Sequence, residues 1–387
     1  MGESNRVRTS YAKEVTWGVA LVTPTMKELS RTGGSIKAPM DTVTSNRVRS
    51  HRNRTDVLRT GQRAEFTLED EVAYGNYDDL IEAALAGAFS TPETTTASLT
   101  IVAATRTVTM AAAFDFIVAG QWIKISGAIN AANNGYWRVQ TRTSAGEVIV
   151  FDPAPAALVN ETATASVTIK VDGMLRNGTT QSSWCVEQEH VDLAIFLLAV
   201  GLRVNSAQVT IPNTGLITLS MQMQGKQVTA PNATIASVLT PANSNQVFSA
   251  TENFFQLLEG GGTLADDVQQ VQFSVSNNLR VRRVPNSGSV PKAIKYGTLD
   301  VTGSLSVYPN GESMVEKYLA FTESSLSFRL TDTAGNTYIV TFPRYKYTGD
   351  GLPDTGGLDG DVTMAMPFTA FYSSTYLCSV QIDKFAA

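Results

Sequence analysis

The stretch FTLEDEVAYGNYDDLIEAALAGAF, residues 66–89, changes its period halfway along. Around its start the even positions Ala64, Phe66, Leu68, Val72 and Tyr74 are apolar. The odd positions Arg63, Glu65, Thr67, Glu69 and Glu71 are polar, and Asp70 alone breaks the rule. A period of two is that of a half-buried antiparallel strand. From Asn76 onward, Leu80, Ile81 and Leu85 share one face of a helix. Asn76 stands where a side chain can cap the free backbone N–H groups, and Asp78 and Asp79 fall in the first turn, where the helix dipole favours negative charge. Six carboxylates lie within residues 69–82. They could bind a metal, perform acid–base chemistry, or form a wet surface. The change of period divides them between a strand and a helix.

The pattern recurs. RVR at 47–49 returns at 280–282, an offset of 233. At that offset Gly297, Leu299, Val301, Leu305 and Val307 form a second apolar face. The opposite face is Thr298, Asp300, Thr302, Ser304 and Ser306, with one carboxylate. NYDDLIEAALA (76–86) matches NGESMVEKYLA (310–320), with Asn310 as the second cap and Glu312 in the first turn. Further on, QVTIP (208–212) resembles IVTFP (339–343), and LITLSMQM (216–223) resembles DVTMAMPF (361–368). The chain therefore reads as one module duplicated. Residues 61–90 with 175–250 make the first copy and 266–387 the second. Residues 1–60 form a basic arm, 91–174 an inserted small all-β domain with the turn NNG, and 251–265 a linker with a short helix over 250–262. The second copy carries a Gly/Asp-rich loop at 347–361. A duplicated catalytic site would need acids in both copies, and only the first has them in number.

Composition narrows the function classes. The 387 residues are 43% hydrophobic and 17% charged, enough for two or three globular domains. Net charge is −5, spread unevenly: twelve Lys/Arg face five Asp/Glu in residues 1–63, against eighteen and thirty in the remainder. A basic arm on an acidic body suggests contact between copies, a nucleic-acid arm, or a solvated tail. The apolar anchors Val15, Trp17, Leu21 and Met26 weigh against the tail. The two cysteines, Cys185 and Cys378, have no metal or redox spacing and read as reduced core residues. The first residues have no apolar leader segment, and the run LAIFLLAVGL (193–202) is too short to span a bilayer. The expectation is synthesis in a cytoplasm and no membrane contact. His51 and His190 have no partner at a recognisable spacing. LPDTG (352–356) and DTGGLDGD (354–361) are turn-forming text rather than protease, sorting or calcium motifs. No catalytic residue, metal or cofactor is expected.

Five strings carry a resemblance: EVTWGVALVTPTMKELSRTGGSI (14–36), TSNRVRSHRNRTDV (44–57), EVAYGNYDDLIEAAL (71–85), VSNNLRV (275–281) and MAMPFTAF (364–371). In these the chain resembles major tail tube proteins of long-tailed, non-contractile bacteriophages over residues 6–90 and 173–387, but not over the insert. The resemblance implies a mainly β chain of two tandem antiparallel β-sandwich modules, each with a flanking α-helix. Both modules would lend strands to an inner β-barrel made by a ring of copies, and the small β domain would be an addition. A duplicated module implies a trimer with pseudo-sixfold symmetry, or alternatively a hexamer, with rings stacked into a tube. It implies a virion-tail location, tape measure, tail terminator and distal tail proteins as partners, and passage of double-stranded DNA. Glu65, Glu69, Glu71 and Asp300 are then expected to face the lumen, where acidic and hydroxyl walls would not retain phosphates. Arg6, Arg8, Trp17, Arg47, Arg49, Arg52 and Arg54, with Asp350, Asp354 and Asp359, are expected at contacts between subunits or rings. The insert would project outward. A virion-surface host-binding protein acting through the insert is the alternative.

Overall fold

The alternating segment folds as the strand Ala64–Glu71, buried at Ala64, Phe66, Leu68 and Asp70 and wet on the other side. The helix Asp78–Leu85 follows and ends on Ala86, whose φ of 50° turns the chain out of the helix. Their counterparts are the strand Asp300–Tyr308 and the helix Ser313–Leu319. This is a computed structural model, and it describes residues 3–110, 115–143, 147–151, 158–264, 266–354, 357–358 and 360–387. The expected caps differ. Tyr77 and Glu312 occupy the N-cap positions without a side-chain cap bond. Asn76 instead donates to the Ser30 hydroxyl, so a tertiary acceptor has taken the side chain from the local one.

Eight of the described strands join edge to edge in one sheet. Ile36–Lys37 pairs with Ala64–Glu71, which pairs with Thr218–Gly225, which pairs with the second half of Ile195–Ile211. The last of these four pairs across to Asp267–Ser276, in register from Ser206↔Ser276 to Ile211↔Val271. The sheet continues through Asp300–Tyr308, Met364–Ala370 and the end of Thr337–Tyr347. The second set of four strands thus repeats the first, and the two sets are joined by ordinary antiparallel pairing within one chain.

A second layer covers the apolar face. The long strand Ile195–Ile211 leaves the first sheet beyond a bulge at Val204/Ser206 and Gly201 at φ 72°, and its first half pairs with Trp184–His190. Bulges and glycine are how a strand passes between sheets. Thr337–Tyr347 pairs likewise with Ser324–Thr331 and Gln381–Phe385. Between the layers runs one apolar core that includes Phe66, Leu68, Leu80, Met221, Phe273, Leu305, Phe342 and Phe368.

Three expectations are corrected here. Residues 1–60 are not a free arm: Val7–Lys13 pairs residue for residue with Trp184–His190, and Tyr11 is in the core. Thr9, Ser10 and Tyr11 are buried in succession, with the Tyr11 ring 5.5 Å from that of Trp184, area that a solvated tail would leave wet. The supposed linker helix is a strand, Phe254–Glu259, paired with Ser324–Thr331, so it takes in the second half the place that Val7–Lys13 has in the first. QVTIP and IVTFP are not equivalent either. Val209 pairs with Leu219 and Phe273, whereas its match Val340 pairs with Phe328 and Ile382 in the other layer. Short β-rich strings resemble one another wherever strands have one wet face.

The insert folds as a closed barrel of six strands from Glu93–Val102 to Glu161–Val171, around its own core of Leu99, Ile101, Ile123, Val139, Val167 and Ile169. It leaves the first half of the chain but rests on the second. Trp122, 3% exposed, packs with Leu258, Ile339 and Phe385. Its indole N–H donates to Thr341 Oγ1 at 3.0 Å, and Tyr136 and Thr337 share a hydroxyl bond of 2.9 Å.

Candidate functional site

The eight-strand sheet has two chemically different faces. Reading across the ladder, Glu69, Ser220, Gln208, Ser274, Thr302 and Thr369 lie opposite one another in one polar row. The neighbouring row is Glu71, Thr218, Thr210, Gln272 and Ser304. Thr67, Gln222, Ser206, Ser276 and Asp300 make a third. Strand alternation dictates this, because each apolar residue that points into the core leaves its neighbours on the other side.

The structure brings Glu65, Glu69, Glu71 and Asp300 onto this one face. Glu69 and Asp300 are exposed, and Glu65 and Glu71 half-buried. Glu65 pairs with Arg63 at 2.7 Å, and Asp300 accepts from Asn278 Nδ2 at 2.7 Å. Between the acid-bearing strands, the rows on the three strands 206–210, 218–222 and 272–276 hold hydroxyls and amides and no charge. The sequence reading missed Ser220, Gln208, Ser274 and Thr369. The signal was present, since TLSMQM (218–223) and QVQFSVS (270–276) alternate like the opening stretch.

Asp70 does not belong to the wet face. It is buried, accepts from Ser30 Oγ at 2.6 Å and from the Tyr77 hydroxyl, and so ties strand, helix and the 29–35 segment together. Asp78 and Asp79 do more than complement the helix dipole. Asp78 binds Lys384 Nζ at 2.7 Å and the Tyr338 hydroxyl, while Asp79 accepts from Tyr11 at 3.1 Å and pairs with Lys27. Helix Asp78–Leu85 is thereby anchored to the first strand and to the second half of the chain.

The residues expected at contacts fall into separate places. Arg6 pairs with Asp192 at 2.8 Å, Arg8 with Glu189, and Trp17 donates to Gly201 O at 3.0 Å beneath Lys226. These groups already have partners in their own chain. Arg47, Arg49, Arg52 and Arg54 are exposed on the loop of the hairpin Met40–Thr44/Val57–Gln62. Asp350 and Asp354 are exposed in the loop after Tyr347, and Asp359 lies outside the described residues. Both cysteines are free and buried, and burial pushes the Cys185 thiol up to about 12 and the Cys378 thiol up to about 11. His51 is exposed on the arginine loop and His190 ends a strand. Among the described residues no group of three or more His, Cys, Asp or Glu could hold a metal, and no helix is long and apolar enough to cross a membrane.

A sheet that is apolar on one side, wet and largely uncharged on the other, and open at its outermost residues among those described has the features of a structural subunit: a long wettable surface and strand edges that another strand can join. Comparison with protein-family models agrees with that reading. The model described as phage tail tube protein matches residues 4–370, insert included, and the chain belongs to that family. Membership makes it a structural component of the virion tail that assembles with itself into a tube. A search of curated proteins finds no match.

Proposed function

We propose that three copies of the chain close their eight-strand sheets into one ring, that rings stack into the tail tube of a long-tailed phage, and that the polar face lines the passage for double-stranded DNA. One observation carries this reading: the chain contains one complete junction of the required kind, Ser206–Ile211 on Val271–Ser276. Ile36–Lys37 and the last two residues of Thr337–Tyr347, Lys346 and Tyr347, are the same two edges with no partner strand on the outer side among the described residues; Tyr345, just before them, still pairs with Ser324. Three copies supply about 24 strands. At ~4.8 Å per strand and ~40° tilt, the backbone diameter is about 48 Å, well beyond barrels of about 16 strands that already hold a water channel. A chain closing on its own eight strands would leave room only for side chains.

The conduit mechanism is then chiefly one of neutrality. DNA phosphates are held by cations, whose counterion release makes binding strong. Hydroxyl and amide rows wet the wall without holding phosphate, and Glu65, Glu69, Glu71 and Asp300 add repulsion at intervals. The loop 45–56, whose four arginines are exposed, is the contact to a neighbouring ring.

Electron microscopy of the purified protein should show tubes whose rings each bear three peripheral lobes, one per insert. Six lobes would make the ring a hexamer, and a monomer at every concentration and salt would sink the assembly. For the conduit, Glu65→Gln, Glu69→Gln and Glu71→Gln should leave tubes intact and slow DNA ejection. Gln208→Lys with Ser274→Lys should slow it much further, with relief by salt. Ejection at the normal rate in the lysine variant would remove the polar face from the lumen.

A further inference from the structure

The two helices occupy matching places in the duplicated text, yet their surroundings differ. Leu85 and Leu319 correspond in NYDDLIEAALA and NGESMVEKYLA; Leu85 is 2% exposed and Leu319 is 69% exposed. Phe321, just beyond the second helix, is 56% exposed. The difference has an identifiable source. The first helix is covered by the start of the second half of the chain. Asn277 Nδ2 donates to Ala84 O at 2.9 Å, and the Tyr296 hydroxyl donates to Ala83 O at 3.2 Å. Phe273 and Val275 line the same apolar space as Ala84 and Leu85. The segment after the insert adds a bond from Gly178 N to Leu85 O. Asn277 and Tyr296 flank the hairpin Arg280–Arg282/Ala293–Lys295. Helix Ser313–Leu319 is held by Lys317 on Glu259 and by the Tyr318 hydroxyl donating to Gly349 O, and Lys346 lies over the Phe321 ring, but among the described residues no segment covers Leu319.

We infer that the surface formed by Leu319 and Phe321 is a docking site for a second copy of this chain, and that its occupant is the segment from Thr32 to Arg63. That segment is the first-half counterpart of 271–296. It holds a strand laid along Ala64–Glu71, followed by a hairpin, Met40–Thr44/Val57–Gln62. Ile36 is buried in the core, but the apolar residues of the hairpin are uncovered, Met40 being 57% exposed and Val57 and Leu58 similarly so. An isolated two-stranded hairpin is marginal in water and gains stability by packing. Charges complement as well, with Glu312 and Glu316 exposed on the helix and Arg59 on the hairpin. Continuity supports the same order around a ring. The two hairpins of one chain already stand side by side, joined by Asp41–Arg283 at 2.7 Å and by Gln62 N to Ser289 O. Repetition around the ring puts each first-half hairpin beside the previous copy's second helix.

This rests on the ring reading above, and the test separates the two. Leu319 is replaced by the photoreactive residue p-benzoylphenylalanine, and unstacked rings and tubes are irradiated and mapped by mass spectrometry. The expected product is a cross-link from position 319 to residues 32–63 of another copy, present already in unstacked rings and absent from monomer. Rings or tubes that form but cross-link elsewhere, or not at all, overturn the docking site and leave the tube reading standing. A cross-link to 32–63 found only in stacked tubes overturns the assignment to the same ring. Failure to form rings or tubes with the unmodified chain overturns both. As a second readout, Leu319→Glu should keep the monomer's unfolding midpoint and lower ring yield at least ~10-fold; an unchanged yield counts against the site.

Discussion

Asp70 breaks the alternation of residues 62–74 without leaving the buried face, because Ser30 and Tyr77 bring hydroxyls to it. A carboxylate is tolerated there only while those donors remain. Asp70→Ala should therefore lower stability by about 1–3 kcal/mol, read as a lower urea midpoint with an unchanged slope. An unchanged midpoint would mean the hydroxyls serve some other purpose. Asp383 is a second buried carboxyl. It accepts from Gln381 at 2.6 Å and from Trp122 N at 3.4 Å, and burial pushes its pKa up to about 7 despite those bonds and the nearby Arg176 and Arg138. The unfolded chain ionises it near ~3.9. Between those values the folded state holds more protons, so stability falls as pH rises from about 4 to about 7, by up to ~4 kcal/mol from this group. Asp383→Asn should flatten that part of the stability–pH curve, measured by thermal unfolding of the monomer. A variant whose curve kept the wild-type slope would rule the group out.

At the level of the strand pair, faces were legible in the sequence and offsets were not. The repeat in RVR implies 233 residues between copies. The ladder gives another figure. Leu68 pairs with Met221 and Leu305 with Met366, so if Met221 matches Met366, Leu68 matches Leu305, 237 residues away. The discrepancy is even, and an even slip returns every side chain to its own face. On that match Phe66 opposite Met223 corresponds to Gly303 opposite Phe368. The bulk has changed strands. A Cβ on Gly303 would meet the Phe368 ring at 2.3 Å and Gln272 O at 2.7 Å. Gly303→Val should accordingly cost about 1–3 kcal/mol, and Phe368→Leu in the same chain should recover part of it, as judged by urea unfolding. Strict additivity of the two losses would contradict the pairing. The helices teach the reverse lesson: their caps were misassigned, since Ser30, which takes the Asn76 side chain, and Asp266, which accepts from Asn310 N, are remote in sequence.

For the whole molecule, the insert is a structural partner of the second half rather than a free appendage. Trp122→Ala should loosen the junction by about 3–5 kcal/mol. Hydrogen exchange should then rise in Thr337–Tyr347 and Gln381–Phe385 while the barrel strand Trp122–Ser126 stays protected, because Ile123 and Ile125 belong to the barrel's own core. Equal loss throughout the barrel would show that the two cores are not independent. Deleting residues 91–174 should bare Ile339 and Phe385 and promote aggregation, seen by light scattering, so loss of tubes on deletion is not by itself evidence of a tube contact made by the insert. The basic residues divide at this scale too. Arg6 and Arg8 are neutralised at home, whereas the loop carrying Arg47, Arg49, Arg52 and Arg54 is exposed, as is Arg59 on the same hairpin.

The sequence by itself determined the side-chain period of the strands, hence which residues face water, and the duplication of strand and helix. Both are local properties, set by alternation and by helical spacing. Only the tertiary structure decided that Val7–Lys13 and Phe254–Glu259 are strands of the body, that two four-strand sets join at Ser206–Ile211, and that Leu85 is buried while Leu319 is not. These depend on which distant segment arrives as a partner. A strand edge or a helix face has the same local text whether its neighbour belongs to the same chain or to the next one.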